Sequence, residues 1–390
     1  MRHRSRATVV GAFALALILA GCAPTVPDKL HWMLDDGEPI AVSPELEVES
    51  ATTTRVPVSG GTVTATGADG TVYTLEIPAD ALLTTTDITM TPFSSIEGLP
   101  FGDGEGIGVQ LQPDGLPFDA FATLTITPAT TIPIDEQLTF GYRGDGADLA
   151  LAPPVVDSTE IRILIDHFSG YGVAKGLLSD VEAVREQLGG DAERRILSAI
   201  AAELLAERQS IEAGGTPRPL SDVLGPHLDL LESEVLAPRI EAAGESCAAG
   251  LLAVQTVLSI DRQRQLIGDD SGDTARFAEV LDDAGAACLD EEVAMCAEQH
   301  IVHRMIPFVL WLDRQGQLLG APLPVLEEAK QRAQDCLRFE LEFRSDGVAT
   351  DDGIEIASSV TATATIVFDP DSLAFTRTTA PLRNTLYTMG

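Results

Sequence analysis

Seven short runs rich in threonine and valine follow one another in the first half of the chain, separated by Gly, Asp and Pro. They span residues 62–65, 71–77, 87–91, 108–112, 122–127, 138–142 and 161–165. Polar and apolar residues alternate in 73–77 and 123–127, which predicts strands with one buried and one solvated face. The dipeptide Asp69-Gly70 is typical of a hairpin turn. Many short strands at regular spacing predict an antiparallel β-sandwich.

Four motifs in this region resemble the ZU-five β-sandwich domain. They are LEIPADAL at 75–82, ITMTP at 88–92, VQLQP at 109–113 and HFSGYGV at 167–173, and the resemblance covers about residues 58–175. The last motif looks like the closing strand of that domain, so the resemblance implies a strand at 167–173. That domain occurs in ankyrins, netrin receptors, tight-junction proteins and many exported bacterial proteins. No ankyrin repeats or death domain accompany the motifs here, so the resemblance implies neither spectrin binding nor death signalling. It implies a sandwich, which we place at 51–175, that binds partners or holds neighbouring domains.

Helical periodicity replaces the strand pattern after Lys175, and residues 176–336 predict an all-α domain. Asp191 is typical of a helix N-cap, and an apolar stripe follows it. Further helices are predicted at about 238–267, 274–298, 300–319 and 324–336. Antiparallel helical hairpins with short connections are the expected packing.

Four cysteines lie in the helical region: Cys247, Cys288, Cys296 and Cys336. An even number in an exported domain predicts disulfides. Cys288 and Cys296 are eight residues apart, which is about 12 Å along a continuous helix and too far to bridge. Two pairings remain open, and we favour Cys247 with Cys288 and Cys296 with Cys336. Each closes a loop of about 40 residues and contributes roughly 4 kcal/mol in the chain-entropy model, less any strain.

The N-terminus has the order of regions of an export signal. Arg2, Arg4 and Arg6 precede an apolar run at 7–20, followed by Gly21 and Cys22. The run is shorter than the roughly 20 residues that span a bilayer. LAGC at 19–22 resembles the lipobox of bacterial lipoproteins, which implies removal of 1–21 and lipidation of Cys22, for example by palmitate. By the same resemblance, the residue after the cysteine, an alanine, favours the outer membrane or cell surface where two membranes exist, and otherwise the outer face of the plasma membrane.

Two further segments complete the predicted domain organisation. Residues 22–50 are acidic and contain four prolines, which predicts a tether. At about 5–6 Å times the square root of its length, it would hold the first domain some 30 Å from the bilayer. Residues 337–390 predict a short C-terminal β segment, with strands at 337–343 and 359–368, and an incomplete domain is one interpretation of its short length. The predicted fold class is thus multidomain β plus α: a sandwich, a helical-hairpin domain and a β segment.

Charge restricts the partners of the chain. It carries 60 acidic and 25 basic residues, a formal net charge of −35 at pH 7. A surface this acidic repels nucleic-acid phosphates, which excludes nucleic-acid binding. We predict a membrane contact through the N-terminal lipid, an unidentified protein or glycan partner, and no cofactor.

Clusters of metal-ligand residue types are weak signals in this sequence. Cys296, His300 and His303 fall on one helical face and could hold zinc. The spacing C-x₂-C is absent, so a disulfide cysteine followed by two ordinary histidines is favoured. Acidic pairs at 269–270 and 351–352 lack the order of calcium ligands in an EF-hand and are interpreted as solvated loops. We predict no metal site, and a metal-dependent hydrolase is kept only as an alternative.

The residues around 167 contain the types of a catalytic triad. On a regular strand Asp166 faces opposite to His167 and Ser169, so we expect no Asp-His-Ser relay. In some ZU-five proteins, however, the triplet HFS is a self-cleavage site, so the resemblance implies cleavage between Phe168 and Ser169 as an alternative. Ser169 Oγ would attack the preceding carbonyl, and His167 on the same strand face would take the proton. The favoured function remains a lipid-anchored, exported, non-catalytic binding or scaffold module.

Overall fold

The computed structural model describes residues 28–35, 38–269, 274–299, 302–319, 323–336, 338–351, 354–369, 374–379 and 383–389. Antiparallel sheets form the N-terminal part, helices occupy most of the C-terminal half, and a further antiparallel sheet follows them. This order confirms the predicted mixture of β and α structure.

Eleven strands form the two N-terminal sheets within the described residues. They are β1 Ser43–Leu46, β2 Thr52–Val56, β3 Gly61–Thr66, β4 Val72–Ile77, β5 Thr86–Glu97, β6 Gly106–Gln112, β7 Pro117–Thr127, β8 Gln137–Arg143, β9 Ala147–Leu151, β10 Ile161–His167 and β11 Gly170–Lys175. One sheet has the order β1-β5-β6-β11-β8-β9, with β2 also paired to β5, and the other has the order β10-β7-β4-β3. All seven runs predicted as strands fall within strands of the structure, apart from a residue at the start of one.

The two sheets share one hydrophobic core. Leu75 of β4 and Leu124 of β7 come from the four-stranded sheet, and Met90 of β5 and Leu111 of β6 come from the seven-stranded sheet. All four side chains are fully buried. Alternate residues of each strand therefore face inward, as the alternating sequence pattern predicts.

Strand β11 lies at the centre of the larger sheet, between β6 and β8. It overlaps the closing strand that the resemblance implies at 167–173, whereas the alternation of polar and apolar residues did not predict it. Its glycines are required by close packing. A Cβ on Gly170 would lie 1.8 Å from the Tyr142 ring, and a Cβ on Gly172 would lie 2.4 Å from the Ile107 carbonyl oxygen. These glycines therefore allow neighbouring groups to approach the strand backbone.

Parts of the predicted tether belong to the folded body. Residues Asp28–Leu34 form a 3₁₀-helix, and its Leu30 and Met33 are buried in the hydrophobic core of the helices. Strand β1 pairs with β5. The acidic, proline-containing composition of 22–50 therefore does not make residues 28–34 and 43–46 a free spacer, because a few apolar side chains gain burial only in the tertiary structure.

Eight α-helices lie among the described residues. They are α1 Leu178–Glu182, α2 Ala192–Glu212, α3 Leu220–Leu230, α4 Ala237–Ala242, α5 Cys247–Leu266, α6 Thr274–Gln299, α7 Val302–Leu319 and α8 Pro324–Cys336. The Asp191 side chain caps α2 by accepting from the Arg194 backbone N–H at 2.9 Å, as predicted. The single helix predicted at 238–267 is wrong, because α4 ends at Ala242 and Ser246 caps the start of α5.

Helix α2 packs on the larger sheet and fastens the helices to it. Ala201 and Leu205 share a core with Leu138 and Phe140 of β8. The buried Arg208 guanidinium donates to Gln137 Oε1 at 2.7 Å and to the carbonyl oxygens of Ser158 and Glu160 at 3.0 and 2.9 Å. Three hydrogen bonds from one buried cation make this contact specific as well as apolar.

The last sheet contains β12 Arg338–Asp351, β13 Ile354–Asp369, β14 Ala374–Thr379 and β15 Arg383–Met389. Strand β13 pairs antiparallel with each of the other three. The strands predicted at 337–343 and 359–368 overlap β12 and β13, which extend further than the sequence pattern indicates; residue 337 lies outside the described part.

Candidate functional site

A cleft of about 440 Å³ opens between the ends of the N-terminal sheets and the helices. The loop after β6 contributes Asp114 and Gly115, and the end of β10 contributes Asp166 and His167. Helices α2 and α5 line the opposite side. The cleft thus brings the HFS triplet of the sequence against residues that are remote from it in the chain.

Asp166 and His167 are in contact, which corrects the expectation that they face apart. Asp166 Oδ1 lies 2.7 Å from His167 Nδ1. The register between β10 and β7 shifts between Ile165 and His167. This irregularity breaks the strict alternation of side chains at the strand end, and so neighbouring residues can meet.

The charge of Asp166 is stabilised from several sides. Burial alone would raise its pKa, but the charge and hydrogen bond of His167, followed by Arg262 and Arg194, hold the pKa well below its usual range. Arg262 Nη2 lies 3.7 Å from Asp166 Oδ2. Asp166 is therefore an ionised carboxylate at neutral pH.

Tyr171 completes the environment of the imidazole. Its hydroxyl donates to the His167 carbonyl oxygen at 3.1 Å and lies 3.0 Å from Nδ1. Burial, reinforced by the charge of Asp166, raises the pKa of Tyr171 well above its usual value. With Asp166 accepting from Nδ1–H, the remaining Nε2 is buried and has no hydrogen-bond partner among the described residues.

Ser169 is buried and bonds to a different carboxylate. Its Oγ donates to Asp114 Oδ1 at 3.4 Å, and no hydrogen bond of the described residues joins it to His167. The Phe168 carbonyl oxygen accepts from the Gly115 backbone N–H at 2.8 Å. The Phe168 ring stacks on Phe118, with a centroid separation of 4.5 Å. The Phe168-Ser169 peptide is therefore held from both sides.

The helices supply an apolar wall to the cleft, and one more acidic group lies at its edge. The wall contains Leu251, Leu252 and Leu258 of α5 and Trp311 of α7. Burial raises the pKa of Asp119, and nearby Gln315, Arg262 and Arg314 offset part of the rise. The cleft is amphipathic, which suits binding of a partly apolar group.

Sequence reasoning did not find Asp114 or Arg262 as site residues. Arg262 also donates to the Phe118 carbonyl oxygen at 2.8 Å, a contact that spans 144 residues. No local pattern signals such a contact. The cis peptide bond that precedes Pro113, next to Asp114, is equally invisible in the strand alternation.

The predicted disulfide between Cys247 and Cys288 fits the structure, where the two sulfur atoms lie 1.97 Å apart. It joins the first residue of α5 to α6. The side chains of Cys296 and Cys336 lie outside the described part, as do residue 300 and the side chain of His303. Cys22 also lies outside the described residues. Among the residues described, no group of three or more His, Cys, Asp or Glu side chains is arranged to hold a metal ion.

In the described part of the chain, no helix has the length and apolar character needed to cross a membrane. No protein-family model matches the chain, and comparison with curated proteins and with solved structures found no match. The lipobox and ZU-five resemblances thus rest on the sequence motifs alone.

Proposed function

We propose that this chain is an exported, lipid-anchored bacterial protein whose folded part is a non-catalytic binding or scaffold module. The observation that carries the non-catalytic assignment is the pairing within the cleft. His167 Nδ1 is occupied by Asp166, whereas Ser169 bonds to Asp114. Asp166 and Arg262 are likewise held by contacts within the protein, with Arg262 Nη2 3.7 Å from Asp166 Oδ2.

The finer fold assignment belongs to the same proposal. The N-terminal sheets form a ZU-five-like β-sandwich, supported by their shared core. Helices α5 and α6 form a helical hairpin, supported by the Cys247 to Cys288 disulfide. Helix α2 joins the two parts through Arg208, which suits a protein that presents one rigid surface to a protein or glycan partner.

Lipidation of Cys22 is tested by substitution. Cys22→Ser should abolish incorporation of labelled palmitate and leave the precursor unprocessed, because the acyl acceptor is lost. Cys336→Ser is a matched control that keeps Cys22 and should retain both label and processing. Mature Cys22→Ser protein that still partitions with membranes contradicts the lipobox assignment.

Self-cleavage between Phe168 and Ser169 is the second candidate, and one observation favours it. The Gly115 N–H already donates to the Phe168 carbonyl oxygen, where negative charge would develop during attack. Ser169 Oγ would bond to the Phe168 carbonyl carbon, the C–N bond would break, and the hydroxyl proton would end on the Ser169 amine. Water would then hydrolyse the ester to a Phe168 carboxylate and a Ser169 hydroxyl.

The structure changes the expected proton acceptor for this reaction. Ser169 Oγ contacts Asp114 rather than His167, so we assign Asp114 as the group that takes the hydroxyl proton and then passes it to the Ser169 nitrogen as the C–N bond breaks. Denaturing electrophoresis of purified wild type after prolonged incubation should show two fragments, which Ser169→Ala and Asp114→Asn both abolish. Fragments that persist in Ser169→Ala indicate an external protease, and a single intact band in wild type rejects self-cleavage.

A further inference from the structure

The segment Asp28–Leu34, here named the docking segment, is anchored in the helical core and begins six residues after the proposed lipid site along the chain. Leu30 and Met33 are only 6% and 3% exposed and share a hydrophobic cluster with Ile200 of α2 and Leu224 of α3. Two apolar side chains spaced three residues apart thus fix one face of the short helix on the folded body.

A second contact holds the middle of the segment, between these two residues. The Arg185 guanidinium lies over the Trp32 ring, 5.2 Å from the centroid, and Trp32 is half-buried against the same core. A cation above an aromatic face is an attractive, oriented contact. The docking segment is therefore bound to the corner where α1, α2 and α3 meet.

Chain length then limits how far the body can lie from Cys22. Six residue steps separate Cys22 from Asp28, and an extended chain spans at most about 3.6 Å per step, or roughly 22 Å. A free tether from Cys22 to Ser50 would reach roughly 100 Å by the same rule. Docking therefore reduces the maximum distance between Cys22 and the folded body to about a fifth of the reach of a free tether.

Charges of both signs surround the docking segment. The neighbouring cavity contains Arg185 and Arg218, against Glu182, Glu203 and Asp222. Arg185 pairs with Glu182 at 3.0 Å, and Arg218 lies 3.8 Å from Glu203. Asp28 and Asp35, at the two ends of the segment, add further negative charge. Because this corner is acidic overall, the short chain to Cys22, rather than charge attraction, would have to hold it near an anionic head-group surface.

We propose that the docking segment keeps the corner of α1, α2 and α3 within roughly 22 Å of the phospholipid surface that carries Cys22. The proposal rests on the lipidation of Cys22. It assigns a membrane-facing surface to the protein.

Neutron reflectometry of the full mature lipoprotein on a supported bilayer measures the separation. Wild type should place the protein layer within roughly 22 Å of the head groups. The double variant Leu30→Asp with Met33→Asp should release the chain as far as Ile40, and the mean gap should widen by roughly 10 Å, from the square-root scaling of flexible chains. Equal gaps in wild type and in a folded double variant overturn the proposal.

A second variant tests the same distance without disturbing the hydrophobic core. Ten Gly and Ser residues inserted after Ala23 leave the docking segment intact and should also widen the gap by roughly 10 Å. An unchanged gap in the insertion variant shows that other contacts hold the body at the membrane. That result overturns the proposal that the short chain between Cys22 and Asp28 sets the separation. If Cys22 carries no lipid, no protein layer forms at all, so a failure of the proposed anchoring is distinguishable from a failure of docking.

Discussion

Replacement of Asp166 by asparagine tests the electrostatic arrangement of the cleft. The Arg262 side chain is only 7% exposed, and Asp166 is the carboxylate within salt-bridge distance of it in the described structure. Asn keeps the shape and an acceptor for His167 Nδ1–H but removes the negative charge. Asp166→Asn thus leaves the charge of a nearly buried guanidinium uncompensated.

The expected cost follows from that burial. Removing one partner of a fully buried ion pair destabilises a protein by about 3–5 kcal/mol. The Asp166 side chain is 24% exposed, and Arg262 keeps its bond to the Phe118 carbonyl oxygen. Solvent access to residue 166 and this remaining hydrogen bond reduce the loss. We therefore expect the free energy of unfolding to fall by about 2–3 kcal/mol.

Urea unfolding at pH 7 measures the loss, with Asp87→Asn as the matched control. Asp87 pairs with Arg55 at 3.6 Å, but both side chains are more than half exposed. Exposed pairs contribute about 0–1 kcal/mol, so the control should change stability by less than about 0.5 kcal/mol. If Asp166→Asn costs no more than Asp87→Asn, the cleft charges are solvated and the reasoning is refuted.

The same variant predicts a pH dependence. Because the pKa of Asp166 is lower in the folded protein than its usual value, the ionised group contributes stability above the unfolded pKa of about 3.9. That contribution is lost as pH falls below about 4 toward the folded pKa. The stability difference between wild type and Asp166→Asn should be present at pH 5 and shrink as pH falls below about 4, whereas a difference that grows between pH 4 and pH 2 contradicts the sign.

Three further variants test the packing. The double variant Cys247→Ser with Cys288→Ser removes a cross-link between residues 41 apart and should lower the free energy of unfolding of the helices by up to about 4 kcal/mol. Thermal unfolding followed by circular dichroism measures this loss, and an unchanged melting temperature rejects a stabilising bridge. Gly172→Ala should lose more than about 2 kcal/mol, because its Cβ would meet the Ile107 carbonyl oxygen at 2.4 Å. Gly225→Ala on α3 has open space around the new Cβ apart from its chain neighbours. The helix preference of alanine and crowding by the following Pro226 oppose each other there, so this variant should change stability by less than about 1 kcal/mol. Similar urea midpoints for both glycine variants contradict the close-approach argument.

Local patterns predicted the strands well because strand burial follows the alternation of the sequence itself. Tyr73, Leu75 and Ile77 alternate with exposed or half-exposed neighbours in the structure, as the residue types indicate. The alternation pattern did not predict strand β11, which only the ZU-five resemblance implied. Its glycines carry no such pattern, and their role depends on Tyr142 and Ile107 from adjacent strands.

The candidate site was only partly predictable for the same physical reason. His167 and Ser169 were found from a motif, but their hydrogen-bond partners depend on a strand irregularity and on a loop 55 residues away. Arg262 reaches the site from a helix that packs there only in the folded protein. Contacts set by tertiary packing leave no trace in neighbouring residues.

Mass spectrometry of the N-terminal peptide from membrane-extracted protein tests the central claim most directly. Lipid anchoring predicts that the mature chain begins at Cys22 and that this residue carries the mass of covalently attached acyl chains. An unmodified Cys22, or a mature chain that begins at another residue, contradicts the account.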